Sequence, residues 1–269
     1  MNITMGNNCE VFKDVKAFVL DMDGTIFLGD RLLPGAGDFV KYLQRSNTPF
    51  LFLTNNSSKH RKLYADKLNR FGLTVAASAI FTSGEATGTF LQHHFPDIKK
   101  INLYGTPALE QEFVSYGFKL SVENPQAIVL GFDTTLTYEK LWRLCDEVRS
   151  GLPYFATHPD VNCPLEEGFM PDIGATIAFV QASTGRLPDV IIGKPNPPVV
   201  DALIKRLGFS AEEICMVGDR LYTDIALGQA GLRTVLVLSG ETKESDLENS
   251  PYIPDLVVRN VGELIEYLR

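Results

Sequence analysis

No apolar run in the sequence approaches the roughly 18–20 residues that a bilayer-spanning helix needs, so a membrane span is excluded as a reading of this chain. The opening stretch, MNITMGNNCEVFKDVK, is polar and has no apolar signal core. Export is therefore not expected, and the Asn-x-Ser/Thr matches at Asn2 and Asn56 read as chance. Cysteine is scarce: Cys9, Cys145, Cys163 and Cys215 lie far apart and form no CxxC pair. That leaves zinc and dithiol chemistry without support and predicts reduced thiols in a cytoplasm. Positive charge is in deficit, with 25 Lys and Arg against 33 Asp and Glu, a formal net charge of -8. Nucleic acid and anionic membrane surfaces bind clustered positive charge, so neither is an expected partner. The phosphate-loop pattern GxxxxGK[ST] is absent, and Gly35-x-Gly37 fails GxGxxG because position 40 is Val. No fixed-period repeat and no low-complexity tract is present.

Hydrophobic residues make up 45% and charged residues 22%, a balance typical of globular proteins. A chain of 269 residues, at about 150 residues per domain, suggests two domains or one large one. It is long enough to bury a core without disulfide staples. Short apolar runs at Ala17–Leu20, Phe50–Leu53, Ile128–Leu130, Val190–Ile192, Ile214–Val217 and Thr234–Leu238 alternate with segments of helical period. Nearly continuous apolar character marks strands covered on both faces, as in a parallel sheet. Phe39, Tyr42 and Leu43 keep helical spacing, as do Leu203, Ile204 and Leu207. This alternation predicts a doubly wound α/β fold with a parallel sheet. Leu141, Trp142 and Leu144 are spaced to pack a helix against its domain. Residues 239–254 are polar and read as a surface loop with a short helix.

Four of the apolar runs end in chemically loaded residues. The first runs into Asp21-Met22-Asp23-Gly24-Thr25. In an open α/β sheet, ligands bind beyond the carboxyl ends of the strands, and two acids crowded there repel unless a cation or substrate offsets them. The same residues would also make an ordinary turn. The second run ends in Thr54-Asn55-Asn56-Ser57-Ser58. A hydroxyl and backbone N–H groups there suit phosphate oxygens, and they would equally cap a helix starting near His60. The third ends in Gly193-Lys194-Pro195, which offers a point charge or merely a solvated lysine. The fourth ends in Gly218-Asp219, with Asp224 five residues on. Asp219 repeats the placement of Asp21, whereas Asp224 would also serve as a charge at a helix start. Together these segments put three or four carboxylates, an ammonium and a hydroxyl at one rim. Carboxylate oxygens with few nitrogens or sulfurs suit a hard cation, Mg²⁺. The stretch from 81 to 185 has its own βα alternation and none of these segments. It reads as an inserted α/β domain, with core segments at 1–80 and 186–269.

The order DxDGT, Thr-Asn-Asn, Gly-Lys-Pro and GDRxxTD resembles the haloacid dehalogenase-type phosphatase superfamily. DMDGTIFLGD, TNNSS, IIGKPNP and MVGDRLYTDI resemble its NagD-like, p-nitrophenyl phosphatase branch (subfamily IIA). The resemblance covers nearly the whole chain and implies that 81–185 is the large cap of that branch. It implies a nucleophile at Asp21, a general acid/base at Asp23, and phosphate-stabilising groups at Thr54 and Lys194. It further implies metal ligation by Asp21, the Asp23 carbonyl, Asp219 and Asp224, and substrate-side roles for Asn55 and Asn56. Two cap loops, at Phe155–Pro164 and Met170–Ala175, resemble those of the branch. Some relatives place a substrate-contacting His at the position of Cys163, and many have Gly at that of Asp172. His60, His93, His94 and His158 are expected outside the chemistry.

The implied activity is Mg²⁺-dependent hydrolysis of a small phosphorylated metabolite through an aspartyl phosphate. A phosphotransferase or phosphomutase would share that intermediate, and a non-catalytic binding protein could use the same fold. Dehalogenation, which needs neither an acid at position 23 nor a metal, is not favoured. The branch includes cap-mediated dimers, so a homodimer is compatible with the resemblance.

Overall fold

The structure is a computed structural model that describes residues 11–165 and 167–269. Cys9, Asn2 and the rest of the polar leading segment through residue 10 lie outside the described residues. Strand β1 (Ala17–Asp21) leads through the short strands β2 (Phe27–Leu28) and β3 (Arg31–Leu32) to helix α1 (Ala36–Arg45). Strand β4 (Phe50–Thr54), α2 (Arg61–Arg70) and β5 (Ile80–Thr82) follow. Then come α3 (Ser83–His94), β6 (Lys100–Tyr104), α4 (Pro107–Ser115), β7 (Lys119–Leu120) and β8 (Ala127–Leu130). They are followed by α5 (Tyr138–Arg149), β9 (Tyr154–Ala156), β10 (Asn162–Pro164), β11 (Phe169–Pro171), α6 (Ile173–Thr184) and β12 (Val190–Ile191). The chain continues through α7 (Pro197–Leu207), β13 (Ile214–Gly218), β14 (Arg233–Val237), β15 (Leu256–Val258) and α8 (Leu264–Tyr267).

These elements divide into two compact units. One comprises Met1–Leu53, Ala65–Ile80 and Leu203–Arg269; the other comprises Thr54–Tyr64 and Phe81–Ala202. The first is built on a six-stranded sheet in the order β15-β14-β13-β1-β4-β5. β1 pairs in parallel with β13, Ala17 to Ile214 through Leu20 to Val217, and with β4, Phe18 to Phe50 through Asp21 to Leu53. Every residue of β1 is buried, which is why its sequence is continuously apolar until the acid that ends it. The strand order reverses at β1, the position where open α/β sheets bind ligands. Helix α1 buries Ala36, Phe39, Val40 and Leu43, one stripe of a 3.6-residue period. Phe39 meets Phe18 of β1 edge-on at 5.7 Å between ring centroids, worth about 0.5–1.5 kcal/mol beyond area burial.

The second unit holds a five-stranded sheet, β12-β9-β8-β6-β7, and the antiparallel pair β10-β11. Its five strands pair in parallel throughout. Val190–Ile191, which the sequence reading places in the second core segment, pairs with Phe155 and Ala156 of β9. α5 and α6 pack Leu144, Cys145, Val148, Ile173, Ile177 and Val180 against Ile128, Leu130 and Tyr154. Trp142 corrects an expectation. It is 64% exposed, because α5 turns Leu144, Cys145 and Val148 inward and these leave Trp142 on the outer side. Side chains of Thr82, Thr106, Thr137 and Asp172 cap the starts of α3, α4, α5 and α6, each satisfying an N–H that the first turn leaves open. In the polar 239–254 stretch, a 3₁₀ helix runs over Glu244–Asn249. Among the described residues Cys145 and Cys215 are buried free thiols, and no helix is long and apolar enough to cross a membrane.

Candidate active site

β1 delivers Asp21 to the end of the sheet, and the neighbouring β13 ends on Gly218 immediately before Asp219. Asp224 precedes a 3₁₀ helix, Ile225–Ala230, but does not cap it. Its Oδ2 instead accepts from Arg220 N at 3.0 Å, closing the loop between the two acids. One carboxylate oxygen of each of Asp21, Asp219 and Asp224 lies within 4.8 Å of the others. The three residues are 9%, 2% and 0% exposed. Negative charges that close, with so little water between them, destabilise one another unless a cation is shared.

The local chain conformation follows from the sequence. After Asp21 the backbone turns back at once: Ile26 N and Phe27 N both donate to the Met22 carbonyl, at 2.9 and 3.0 Å. Asp23 forms a bridge with Phe27. Gly24 sits in the left-handed region at φ 87°, where glycine carries no Cβ penalty, and its carbonyl accepts from Ser239 Oγ at 2.8 Å. Asp219 Oδ2 accepts from Glu241 N at 2.7 Å. The Asp-x-Asp-Gly turn expected from the sequence is thus real, and it coexists with the acid cluster.

The donor set suits a hard cation: three carboxylates, with no nitrogen or sulfur donor among them. The backbone crowds these acids into place. A Cβ on Gly240 would lie 1.9 Å from Asp219 Oδ2, so no side chain fits there without moving the carboxylate. Arg220, not singled out in the sequence, pairs through Nε with Glu241 Oε2 at 2.9 Å. Burial opposes its charge, but Tyr222, Glu241, Asp21 and Asp219 outweigh that and hold the guanidinium firmly protonated. Its signal was its place between the two acids of the fourth motif.

The other expected residues belong to the second unit. Lys194 is 3% exposed, which removes the reading of a solvated loop lysine. Thr54 is 4% exposed, and its hydroxyl accepts from Asn56 N at 3.1 Å. Asn56 Oδ1 accepts from Ser58 N at 2.9 Å and Ser58 Oγ at 2.6 Å, an Asx turn leading toward α2. Its Nδ2 lies 3.6 Å from Cys163 Sγ on β10. Asn55, 6% exposed, bonds to the Lys194 main chain and to Asp160. The structure therefore brings Asp21, Asp219 and Asp224 together in one unit, and Asn55 and Lys194 together in the other.

His158, Asp160 and Asp172 also offer ligand atoms within 4.8 Å of one another. His158 is fully buried, with Nε2 at 3.1 Å from Asp172 Oδ1 and Nδ1 at 2.9 Å from Thr157 Oγ1. Both ring nitrogens have hydrogen-bond partners, as buried polar groups do.

Two family models match the chain: Haloacid dehalogenase-like hydrolase over residues 18–119 and HAD-hydrolase-like over residues 191–264. An acid sugar phosphatase of Staphylococcus saprophyticus is 34% identical over 258 residues, 95% of this chain and 99% of that protein. The 5'-nucleotidase YutF of Bacillus subtilis is 34% identical over 259 residues, covering 95% and 100%. The crystal structure of a 4-nitrophenylphosphatase from Thermotoga maritima superposes with a TM-score of 0.93 at 48% identity, covering 96% and 99% of the two chains.

Proposed function

The chain belongs to the haloacid dehalogenase-like hydrolase family, in its NagD-like, p-nitrophenyl phosphatase branch, and from that premise we propose that it hydrolyses small phosphate monoesters with Asp21 as nucleophile. It is a phosphatase, and the roles of its residues belong to the same proposal. The observation that carries them is the meeting of Asp21, Asp219 and Asp224 oxygens within 4.8 Å. The Asp21 carboxylate is an anionic nucleophile and needs no base to activate it. It attacks phosphorus in line, the ester P–O bond breaks, and an aspartyl phosphate forms. Asp23 gives a proton to the departing alkoxide and then takes one from the water that hydrolyses the acyl phosphate. Lys194 and Thr54 supply an ammonium and a hydroxyl to the phosphoryl oxygens, where charge is concentrated during transfer.

Asp21, Asp219, Asp224 and the Asp23 carbonyl would hold Mg²⁺. The bound cation would neutralise charge between the Asp21 carboxylate and the phosphate dianion. Asn56, beside Cys163 of the β10-β11 pair, is assigned to the substrate side. The substrates are small phosphorylated metabolites, with sugar phosphates and nucleoside monophosphates the first classes to screen.

The test is Mg²⁺-dependent phosphate release from p-nitrophenyl phosphate and a phosphometabolite panel, with acid-quenched enzyme assayed for bound phosphoryl label. Wild type should carry hydroxylamine-labile label, and Asp21→Asn should carry none and lose turnover at least about a thousandfold. Turnover by Asp21→Asn near the wild-type rate, or a wild type that turns over without label, would overturn the assignment. Label appearing on an added alcohol instead of in inorganic phosphate would make the protein a transferase.

A further inference from the structure

The Asn55 carboxamide holds the main chain of Lys194 at two points. Nδ2 donates to the Lys194 carbonyl at 2.9 Å, and Oδ1 accepts from Lys194 N at 2.9 Å. The second Nδ2 hydrogen goes to Asp160 Oδ1 at 3.0 Å. A primary amide has two N–H donors, and both are used inside the protein. Paired bonds to the N–H and C=O of one residue fix that peptide in rotation as well as position. The lysine stem carries its ammonium four carbons out from that backbone, so a small rotation at the Cα becomes a large displacement at Nζ.

Asn55 is itself held from behind. Its carbonyl accepts from Ser83 Oγ at the start of α3. Asp160 lies in the loop that follows β9, and that loop is anchored on several sides. Gly193 N donates to the Thr157 carbonyl at 2.8 Å, Gly174 N to the Asp160 carbonyl at 2.7 Å, and Asp172 N to the Val161 carbonyl at 2.9 Å. The buried His158 ties the same loop to Asp172. All of these residues belong to the second unit.

We propose that Asn55 is a positioning residue for Lys194 rather than a substrate contact, with Asp160 as the post that fixes Asn55. The conformation of the Thr157–Asp160 loop is thereby transmitted to the phosphate-binding ammonium. The inference rests on the role given above to Lys194.

Steady-state kinetics with Mg²⁺ and p-nitrophenyl phosphate test it, using wild type, Asn55→Ala, Lys194→Ala, the double variant, Asp160→Ala and Asp160→Asn. Misplacing a catalytic group by about 1 Å costs up to about a hundredfold, so Asn55→Ala should lower kcat by about ten- to a hundredfold with KM little changed. The double variant should be no slower than Lys194→Ala alone, because residues acting through one another are not additive. Asp160→Ala should lose kcat several-fold, and Asp160→Asn, which keeps an oxygen acceptor for Asn55 Nδ2, should restore it. Multiplied losses in the double variant, or a rise in KM at constant kcat for Asn55→Ala, would overturn the proposal. If Asn55→Ala fails to fold, equal behaviour of the two Asp160 variants overturns it, and rescue by Asn alone supports it. Failure of the underlying reading looks different: Lys194→Ala would itself retain wild-type kinetics.

Discussion

Gly24 and Asp219 occupy the same space but for one carbon atom: a Cβ on Gly24 would lie 2.3 Å from Asp219 Oδ2 and 2.6 Å from Cγ. The turn after β1 and the end of β13 are therefore closed on each other as far as sterics permit. Gly24→Ala should combine the cost of φ 87° for an L-residue, about 1–2 kcal/mol, with displacement of the Asp219 carboxylate. The expected result is a modest fall in Tm and a loss of at least about tenfold in Mg²⁺-dependent kcat. A variant that loses stability but keeps the wild-type metal dependence would show that the contact is packing alone.

Asp23 is expected to matter in proportion to how badly the leaving group needs a proton. General acid catalysis is worth about 10²–10⁴-fold. Asp23→Asn should lose that much on sugar phosphates, whose alkoxides leave poorly. It should lose about tenfold or less on p-nitrophenyl phosphate, whose phenolate leaves unaided. Comparing kcat on the two substrates is decisive: equal losses remove the acid role.

The acid rim was legible because a fully buried strand spells its end in its own residues: an apolar run, then an acid. That signal was present at Asp21 and again at Asp219, and the motif order joined them. β6 was not singled out, because Lys100 and Asn102 interrupt its apolar run. β9 has only three residues, too few for any period to show. Lys194 illustrates a harder limit. Its neighbours Gly193 and Pro195 suggest an open loop, yet it is buried, and its main chain is held by Asn55, 139 residues away in the chain. No local pattern carries that information. The same holds for the Asn55 amide, whose partners, Lys194 and Asp160, are distant in sequence.

If Asp21, Asp219 and Asp224 form a cation site, Mg²⁺ should stabilise the folded protein whether or not it turns over. At about 100 times Kd the linkage is worth about 2.7 kcal/mol, a rise of several degrees in Tm. Asp219→Ala should abolish the rise, and chelation of wild type should reverse it. A melting temperature indifferent to Mg²⁺ in wild type would mean that these three carboxylates do not bind it.

Glu112 gives the fold a pH dependence distinct from the chemistry. It is buried on α4, and Thr82 Oγ1 lies 3.1 and 3.2 Å from its two oxygens. Burial pushes its carboxyl up from 4.5 to about 7; the Thr82 hydroxyl and Arg61 work against this, and Glu85 adds to it. Between those values the folded protein keeps a proton that the unfolded chain has released. Stability from this group therefore falls as pH rises from about 4.5 to about 7 and is level above that. Glu112→Gln has no charge to desolvate, and its carbonyl oxygen still accepts from Thr82. It should match wild type in acid and exceed it by on the order of 3 kcal/mol above neutrality. Paired thermal melts of the two proteins across this range cancel the titration of every other group. If their difference stays constant with pH, Glu112 is ionised in the fold and the assigned shift is wrong.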